Sequence, residues 1–190
     1  MDRGKMGAKA TAMRAPIISD EDLLHLAAEG YKVELVDGEV RMSPAGMEHE
    51  AIVAALIEAL RPHVRRGRLG HVFGSSAGYH IPHGHLRSPD VSMVSAQRLP
   101  GNKLPKGYGD FAPDLAIEVL SPWDEAAAVA AKVAEYLRGG VRLVWIINPE
   151  KREATVHRQG IEVRTVTAEE KLDGEDVVPG FRCVLGDLLD

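Results

Sequence analysis

Residues 113–122 read PDLAIEVLSP, a mostly apolar strand pattern with one carboxylate, Glu118, in its interior. Burying a carboxylate among aliphatic side chains costs free energy unless the carboxylate is paired with a charge or binds a cation. The stretch therefore predicts either a strand that is exposed on one face or a Glu118 side chain with a functional role.

A second short strand is predicted over residues 89–94, PDVSMV, and it opens on Asp90. Strand alternation places Asp114 on the same face as Glu118, but four residues of strand span about 13 Å, too far for one cation to bind both. Asp114 is therefore interpreted as a turn or capping residue, whereas Asp90 can lie beside Glu118. Two carboxylates completed by water suit Mg²⁺, although a pair of solvated or salt-bridged carboxylates fits the same spacing.

The composition limits the classes of protein to which the chain can belong. Its 190 residues suffice for one domain with a core. A net charge of −5 and a pI near 5.9 argue against nonspecific coating of nucleic acid, and a single cysteine, Cys183, excludes a disulfide within the chain and a cysteine-based zinc site. With no membrane-length apolar run and no secretory leader pattern, we expect a soluble protein of the cytoplasm without a membrane partner.

The order of patterns predicts one domain over residues 19–190, preceded by a flexible tail over residues 1–18. A hairpin is predicted around Asp37-Gly38, a turn that needs positive φ, and an amphipathic helix follows residue 46. The strand–helix–strand unit over residues 115–147 predicts two parallel strands joined by a right-handed crossover. The expected fold class is α/β (α+β), with a central mixed β-sheet flanked by helices.

Residues 74–78, GSSAG, match the nucleophile-elbow pattern of serine hydrolases, with Ser76 as the nucleophile. That mechanism needs a helix directly after the nucleophile. Pro82 and Gly84 follow instead, so this match is interpreted as fortuitous.

Several segments resemble the PD-(D/E)XK nuclease superfamily and, more narrowly, the bacterial "putative restriction endonuclease" family, formerly a domain of unknown function. In chain order they are residues 34–39 (ELVDGE), 42–44 (MSP), His49, 88–91 (SPDV), 112–122 (APDLAIEVLSP), Lys132, Tyr136 and 140–141 (GV). The resemblance spans about residues 20 to 160 in order, and it implies a restriction-endonuclease-like domain.

The resemblance also implies a Mg²⁺-dependent (or Mn²⁺-dependent) endonuclease that hydrolyses DNA, in which Asp90, Glu118 and the Val119 carbonyl hold the metal. The superfamily pattern has a lysine two residues after the glutamate, where this chain has Leu120. The family resemblance implies that the catalytic lysine has moved to Lys132 on the following helix. A helical wheel places Lys132 at the edge of the apolar face, from which its long side chain can reach Glu118.

An acidic residue from an early element often joins the metal site in this superfamily. Glu39, which follows the tight turn, is the candidate, and Glu34 is a rival that the sequence does not separate from it. His49 is predicted either to contact a phosphate or to cap its helix. Since nucleases that cut both strands are often dimers, a homodimer is compatible with this reading. The alternative function is a nuclease-like fold that binds nucleic acid or protein without cutting.

Overall fold

The computed structural model describes residues 19–28, 32–43, 46–82, 85–99, 101 and 103–190, so the predicted tail over residues 1–18 lies outside the described residues. The helices are α1 (Asp20–Ala28), α2 (Met47–Arg66) and α3 (Ala126–Arg138). The strands are β1 (Lys32–Val36), β2 (Glu39–Ser43), β3 (Gly70–Gly74), β4 (Tyr79–Ile81), β5 (His85–Arg87), β6 (Val91–Ser95), β7 (Leu115–Val119), β8 (Leu143–Asn148), β9 (Glu153–His157), β10 (Arg164–Thr167), β11 (Lys171–Asp173) and β12 (Arg182–Val184). None of the helices in the described part of the chain has the length and apolar character needed to cross a membrane.

A central sheet of six strands, in the order β10-β9-β8-β7-β6-β3, organises the fold. Strands β7 and β8 pair in parallel, and the other neighbours in this sheet pair antiparallel. Helix α3 connects the parallel pair, as predicted for residues 115–147. The expected α/β class with a mixed central sheet is confirmed.

The two longer helices cover opposite faces of this sheet. The odd-numbered residues of β7 belong to a core cluster that contains Leu56 of α2, whereas Ala116 belongs to a cluster with Val133 and Tyr136 of α3. Since side chains alternate along a strand, Glu118 lies on the same face as Ala116 and therefore faces α3.

A smaller sheet of four strands, in the order β2-β1-β5-β4, carries the remaining part of the site. Strands β1 and β2 form the predicted hairpin, in which Asp37 and Gly38 have φ angles of 52° and 80°. Strand β5 pairs with β1 through Leu35 and Leu86, and the chain reaches Asp90 three residues after β5 ends. This short connection brings side chains of β1 next to Asp90.

Candidate active site

Asp90 and Glu118 lie side by side at the end of two antiparallel strands. Strands β6 and β7 pair Val91 with Ile117, and one further step in this register places Asp90 opposite Glu118. Both residues are buried, at 2% and 7% exposure. The two strands therefore bring two carboxylates together in surroundings where each one needs a partner.

Three donors from three different elements contact the Asp90 carboxylate. Lys32 Nζ lies 2.6 Å from Oδ1, while Oδ2 accepts the backbone N–H of Val119 at 2.8 Å and Nε2 of His49 at 3.2 Å. Burial alone would raise the pKa of Asp90, but the His49 bond, the Lys32 charge and the Val119 N–H hold it well below its ordinary value. Asp90 is therefore an anion at neutral pH.

The Glu118 carboxylate is held mainly by helix α3. Its Oε1 accepts the Tyr136 hydroxyl at 2.6 Å and lies 2.8 Å from Lys132 Nζ, and its Oε2 lies 3.4 Å from Lys32 Nζ. Burial and the charges of Glu118 and Glu34 raise the pKa of Tyr136 well above its ordinary value. Tyr136 therefore remains a hydrogen-bond donor across the physiological pH range.

Glu34 of β1 completes the inner cluster. Its Oε1 accepts the backbone N–H of Ser88 at 3.1 Å and lies 3.2 Å from Lys132 Nζ, while its Oε2 accepts Nη1 of Arg87 at 3.1 Å. Burial would raise the pKa of Glu34, but the charges of Lys132, Lys32 and Arg87 lower it. Lys132 thus lies between Glu34 and Glu118 and contacts both.

A second layer of ion pairs joins helix α3 to the smaller sheet. Arg87, which binds Glu34, also donates Nε to Glu135 Oε2 at 3.1 Å, and His85 contacts the other Glu135 oxygen. Because Glu135 lies three residues after Lys132 on α3, these contacts fix the helix that carries the lysine.

The structure brings together four of the side chains predicted from the sequence, namely Asp90, Glu118, Lys132 and His49. Val119 joins them through its backbone N–H, which donates to Asp90. Asp114 lies outside this group, as expected. At the far end of β7 its carboxylate accepts hydrogen bonds from Ser95 N at 2.7 Å and from Arg98 Nε at 3.1 Å. Strand β4 follows Ser76, so the helix that a nucleophile elbow requires is not found there.

Glu39, the candidate named from the sequence, is not part of this cluster; its rival Glu34, from which the sequence did not separate it, lies in the cluster instead. It is exposed on β2, the edge strand of the smaller sheet, where it pairs with Val36. Glu34 lies one strand further in, beside β5, and is buried at 8% exposure. The tight turn fixes the backbone of Glu39, but it places this residue at the outer edge of the sheet.

Lys32 is not among the candidate residues identified from the sequence, and Tyr136 is named there only among the segments of the family resemblance, without a role. A periodic signal was present for both. Lys32 lies two residues before Glu34 and therefore on the same strand face, and Tyr136 lies four residues after Lys132 and therefore on the same side of the helix.

The donor set of the carboxylate pair suits a hard divalent cation. The described residues contain no group of three or more His, Cys, Asp or Glu side chains arranged to hold a metal. The candidate side-chain ligands for a metal ion are therefore Asp90 and Glu118. Oxygens of both lie within 3.4 Å of one point, the Nζ of Lys32, so one cation can reach both. Two carboxylates completed by water fit Mg²⁺ or Mn²⁺ better than zinc, which favours nitrogen and sulfur ligands.

A mixed sheet between helices, with buried acidic residues and a lysine gathered at one end, defines the restriction-endonuclease-like fold. The family model "Uma2: Putative restriction endonuclease" matches residues 20–186, and the chain belongs to this family. Among similar solved structures is a "putative nuclease belonging to DUF820" from Anabaena variabilis ATCC 29413, with a TM-score of 0.73 and 21% identity over 83% of this chain and 89% of that chain. No curated protein matches the chain. The family supports the assignment of the chain as a nuclease, and the similar structure supports the fold.

Proposed function

We propose that this protein is a divalent-metal-dependent endonuclease that hydrolyses phosphodiester bonds in DNA. The observation that carries the proposal is the juxtaposition of Asp90 and Glu118, with Lys132 Nζ 2.8 Å from Glu118. Asp90 and Glu118 would hold Mg²⁺ or Mn²⁺, aided by the Val119 carbonyl. Such an ion supplies Lewis-acid polarisation of the phosphate and lowers the pKa of a bound water.

The remaining side chains have roles that follow from their contacts. Lys132 would orient the attacking water and neutralise negative charge that develops on the phosphate. Glu34 and Glu118 hold the Lys132 ammonium from two sides, and the Tyr136 hydroxyl fixes the Glu118 carboxylate. His49, at the first turn of α2, orients Asp90 and is the candidate for a contact with the substrate phosphate.

A plasmid-nicking assay with Mg²⁺ or Mn²⁺ tests this function. Asp90→Asn, Glu118→Gln and Lys132→Gln should each lower the nicking rate by about 100-fold or more, the usual effect of removing a charge-stabilising group. Asp90→Asn and Glu118→Gln keep the side-chain volume and Lys132→Gln shortens the side chain by about one atom, so losses caused by packing should be small.

Asp114→Asn is the matched control. Asp114 is as deeply buried as Asp90 and ion-paired with Arg98, but it lies at the other end of β7. We expect this variant to retain most of the activity even if it is somewhat less stable. Equal nicking by wild type, Asp90→Asn and Glu118→Gln would mean that a contaminating nuclease is responsible.

One observation favours a second candidate function, a nuclease-like module that binds nucleic acid or protein without cutting. The inner cluster contains three acidic and three basic side chains, namely Glu34, Asp90, Glu118, Lys32, Lys132 and Arg87. A structural ion-pair network is balanced in the same way. The plasmid assay separates the two functions, because a binding module leaves supercoiled DNA intact.

A further inference from the structure

Lys32 lies at the centre of the carboxylate pair. It is the first residue of β1, and its Nζ lies 2.6 Å from Asp90 Oδ1 and 3.4 Å from Glu118 Oε2. Its side chain is largely buried, with 15% exposure. Lys32 is thus the group that bridges the two acidic residues.

In each of the two carboxylates, one oxygen contacts Lys32 and the other oxygen is bound by different groups of the protein. Asp90 Oδ2 is bound by the Val119 N–H and by His49, and Glu118 Oε1 is bound by Tyr136 and Lys132. Among the described residues, the other oxygen of each carboxylate, Asp90 Oδ1 and Glu118 Oε2, has Lys32 as its only hydrogen-bonding partner. These two oxygens are therefore the ones a metal ion can use without breaking the contacts that orient the pair.

A divalent ion and the Lys32 ammonium cannot bind these oxygens together. Mg²⁺ lies about 2.1 Å from its oxygen ligands, so an ion shared by the pair would occupy nearly the position that Nζ occupies. Two cations so close also repel each other strongly in buried surroundings. Lysine has a flexible four-carbon side chain, so the ammonium can leave by rotation while the strand stays in place.

We propose that Lys32 is a built-in competitor for the divalent ion, which must displace the Lys32 ammonium from Asp90 Oδ1 and Glu118 Oε2 in order to bind. This inference rests on the metal-dependent function proposed above. It assigns Lys32 two opposite effects: Lys32 weakens metal binding, and it stabilises the metal-free fold by pairing with two buried carboxylates.

Lys32→Met, which keeps the length of the side chain and removes its charge, tests both effects. Mn²⁺ affinity is measured from the loss of the free-ion electron paramagnetic resonance signal, and the melting temperature is measured in EDTA. We expect the variant to bind Mn²⁺ about tenfold or more tightly and to melt at a lower temperature than wild type without metal. Lys32→Gln is a second neutral variant with a polar end group, and Lys32→Arg, which keeps the charge, should not bind Mn²⁺ more tightly than wild type.

Lys151→Met is the matched control, since Lys151 is an exposed lysine paired with Glu153 at 3.8 Å. Lys151→Met should change neither the Mn²⁺ affinity nor the melting temperature. The competitor role would be overturned if both neutral Lys32 variants bound Mn²⁺ no more tightly than wild type. If Asp90→Asn then abolished this binding, the metal site itself would remain in place. If wild type and the neutral variants all fail to bind Mn²⁺, the metal-dependent function itself is overturned together with this inference.

Discussion

The hydroxyl of Tyr136 fixes one oxygen of Glu118 from a fully buried position at 2.6 Å. Tyr136→Phe removes this hydrogen bond and keeps the ring in the core. We expect the free energy of unfolding to fall by about 2 kcal/mol, because the acceptor is a carboxylate and hydrogen bonds to charged groups contribute more than neutral ones. We also expect slower Mn²⁺-dependent nicking, because Glu118 gains freedom to rotate. Urea unfolding and initial nicking rates measure the two effects.

Tyr79 offers a matched control on the same protein. Its hydroxyl makes a buried hydrogen bond of 2.7 Å with Ser92 Oγ, away from the carboxylate pair, and burial raises its pKa to about 12. Tyr79→Phe should lose about 1 kcal/mol of stability, because its partner is a neutral hydroxyl, and it should keep its nicking rate. A comparable loss of nicking in both variants would show that general destabilisation, rather than the position of Glu118, is responsible.

At the scale of single residues, the sequence was most informative where a side chain conflicts with its surroundings. Glu118 is conspicuous because a carboxylate interrupts an apolar strand, and the absence of a lysine at Leu120 directed attention to Lys132. Lys32 and Tyr136 do not conflict with their surroundings, because a lysine at a strand end and a tyrosine on an apolar helix face are ordinary. Local periodicity places each of them on the same face as another site residue, but their contacts with Glu118 span 86 and 18 positions of the chain and do not follow from that periodicity.

Helix α3 is held against the smaller sheet by Glu135, whose carboxylate contacts Arg87 and His85. Glu135→Gln leaves the buried Arg87 with Glu34 as its remaining acidic partner. Because Arg87 keeps Glu34 as a partner, its charge is not left uncompensated. We therefore expect the free energy of unfolding at pH 7 to fall by about 2 kcal/mol, the usual contribution of hydrogen bonds to charged groups. Glu125→Gln, an exposed change just before α3, should have little effect.

The difference in stability between wild type and Glu135→Gln should depend on pH because of the pKa of Glu135. Burial would raise that pKa, but the hydrogen bonds from Arg87 and His85 hold it below its ordinary value of 4.5. The unfolded state therefore binds the proton more tightly, so the stabilisation is fully present above about pH 4.5 and is lost as the pH falls through the folded-state pKa. Urea unfolding should show wild type and Glu135→Gln converging under acid conditions. A difference that stays constant down to about pH 3 would contradict this assignment.

At the scale of elements, prediction succeeded where the signal is local. The Asp37-Gly38 turn predicts its hairpin from two residues, and the strand–helix–strand pattern over residues 115–147 predicts the parallel pair β7 and β8. Strand β5 has three residues and no alternation of its own, and it exists because it pairs with β1 on one side and β4 on the other. No strand is predicted there from the sequence, so nothing in the sequence places β1 beside Asp90 or separates Glu34 from Glu39.

At the scale of the whole molecule, the packing of the two sheets and α3 brings charged residues from distant parts of the chain into contact. The central sheet supplies Asp90 and Glu118, the smaller sheet supplies Lys32 and Glu34, and α3 supplies Lys132. Each of these elements also contributes to an apolar core cluster. The geometry of the site therefore depends on how the layers pack, which composition and periodicity cannot specify.

Asp90 and Glu118 form one proposed catalytic site in the part of the chain that the structure describes. A single site predicts the order in which the products of plasmid cleavage appear. One such site cuts one strand at a time, and a net charge of −5 disfavours prolonged binding to the polyanionic substrate. We therefore expect nicked circles to accumulate first and linear DNA to appear later, in gel time courses with plasmid in excess. Linear DNA formed directly from supercoiled plasmid, without a nicked intermediate and more efficiently at higher protein concentration, would instead require two sites acting within one homodimer.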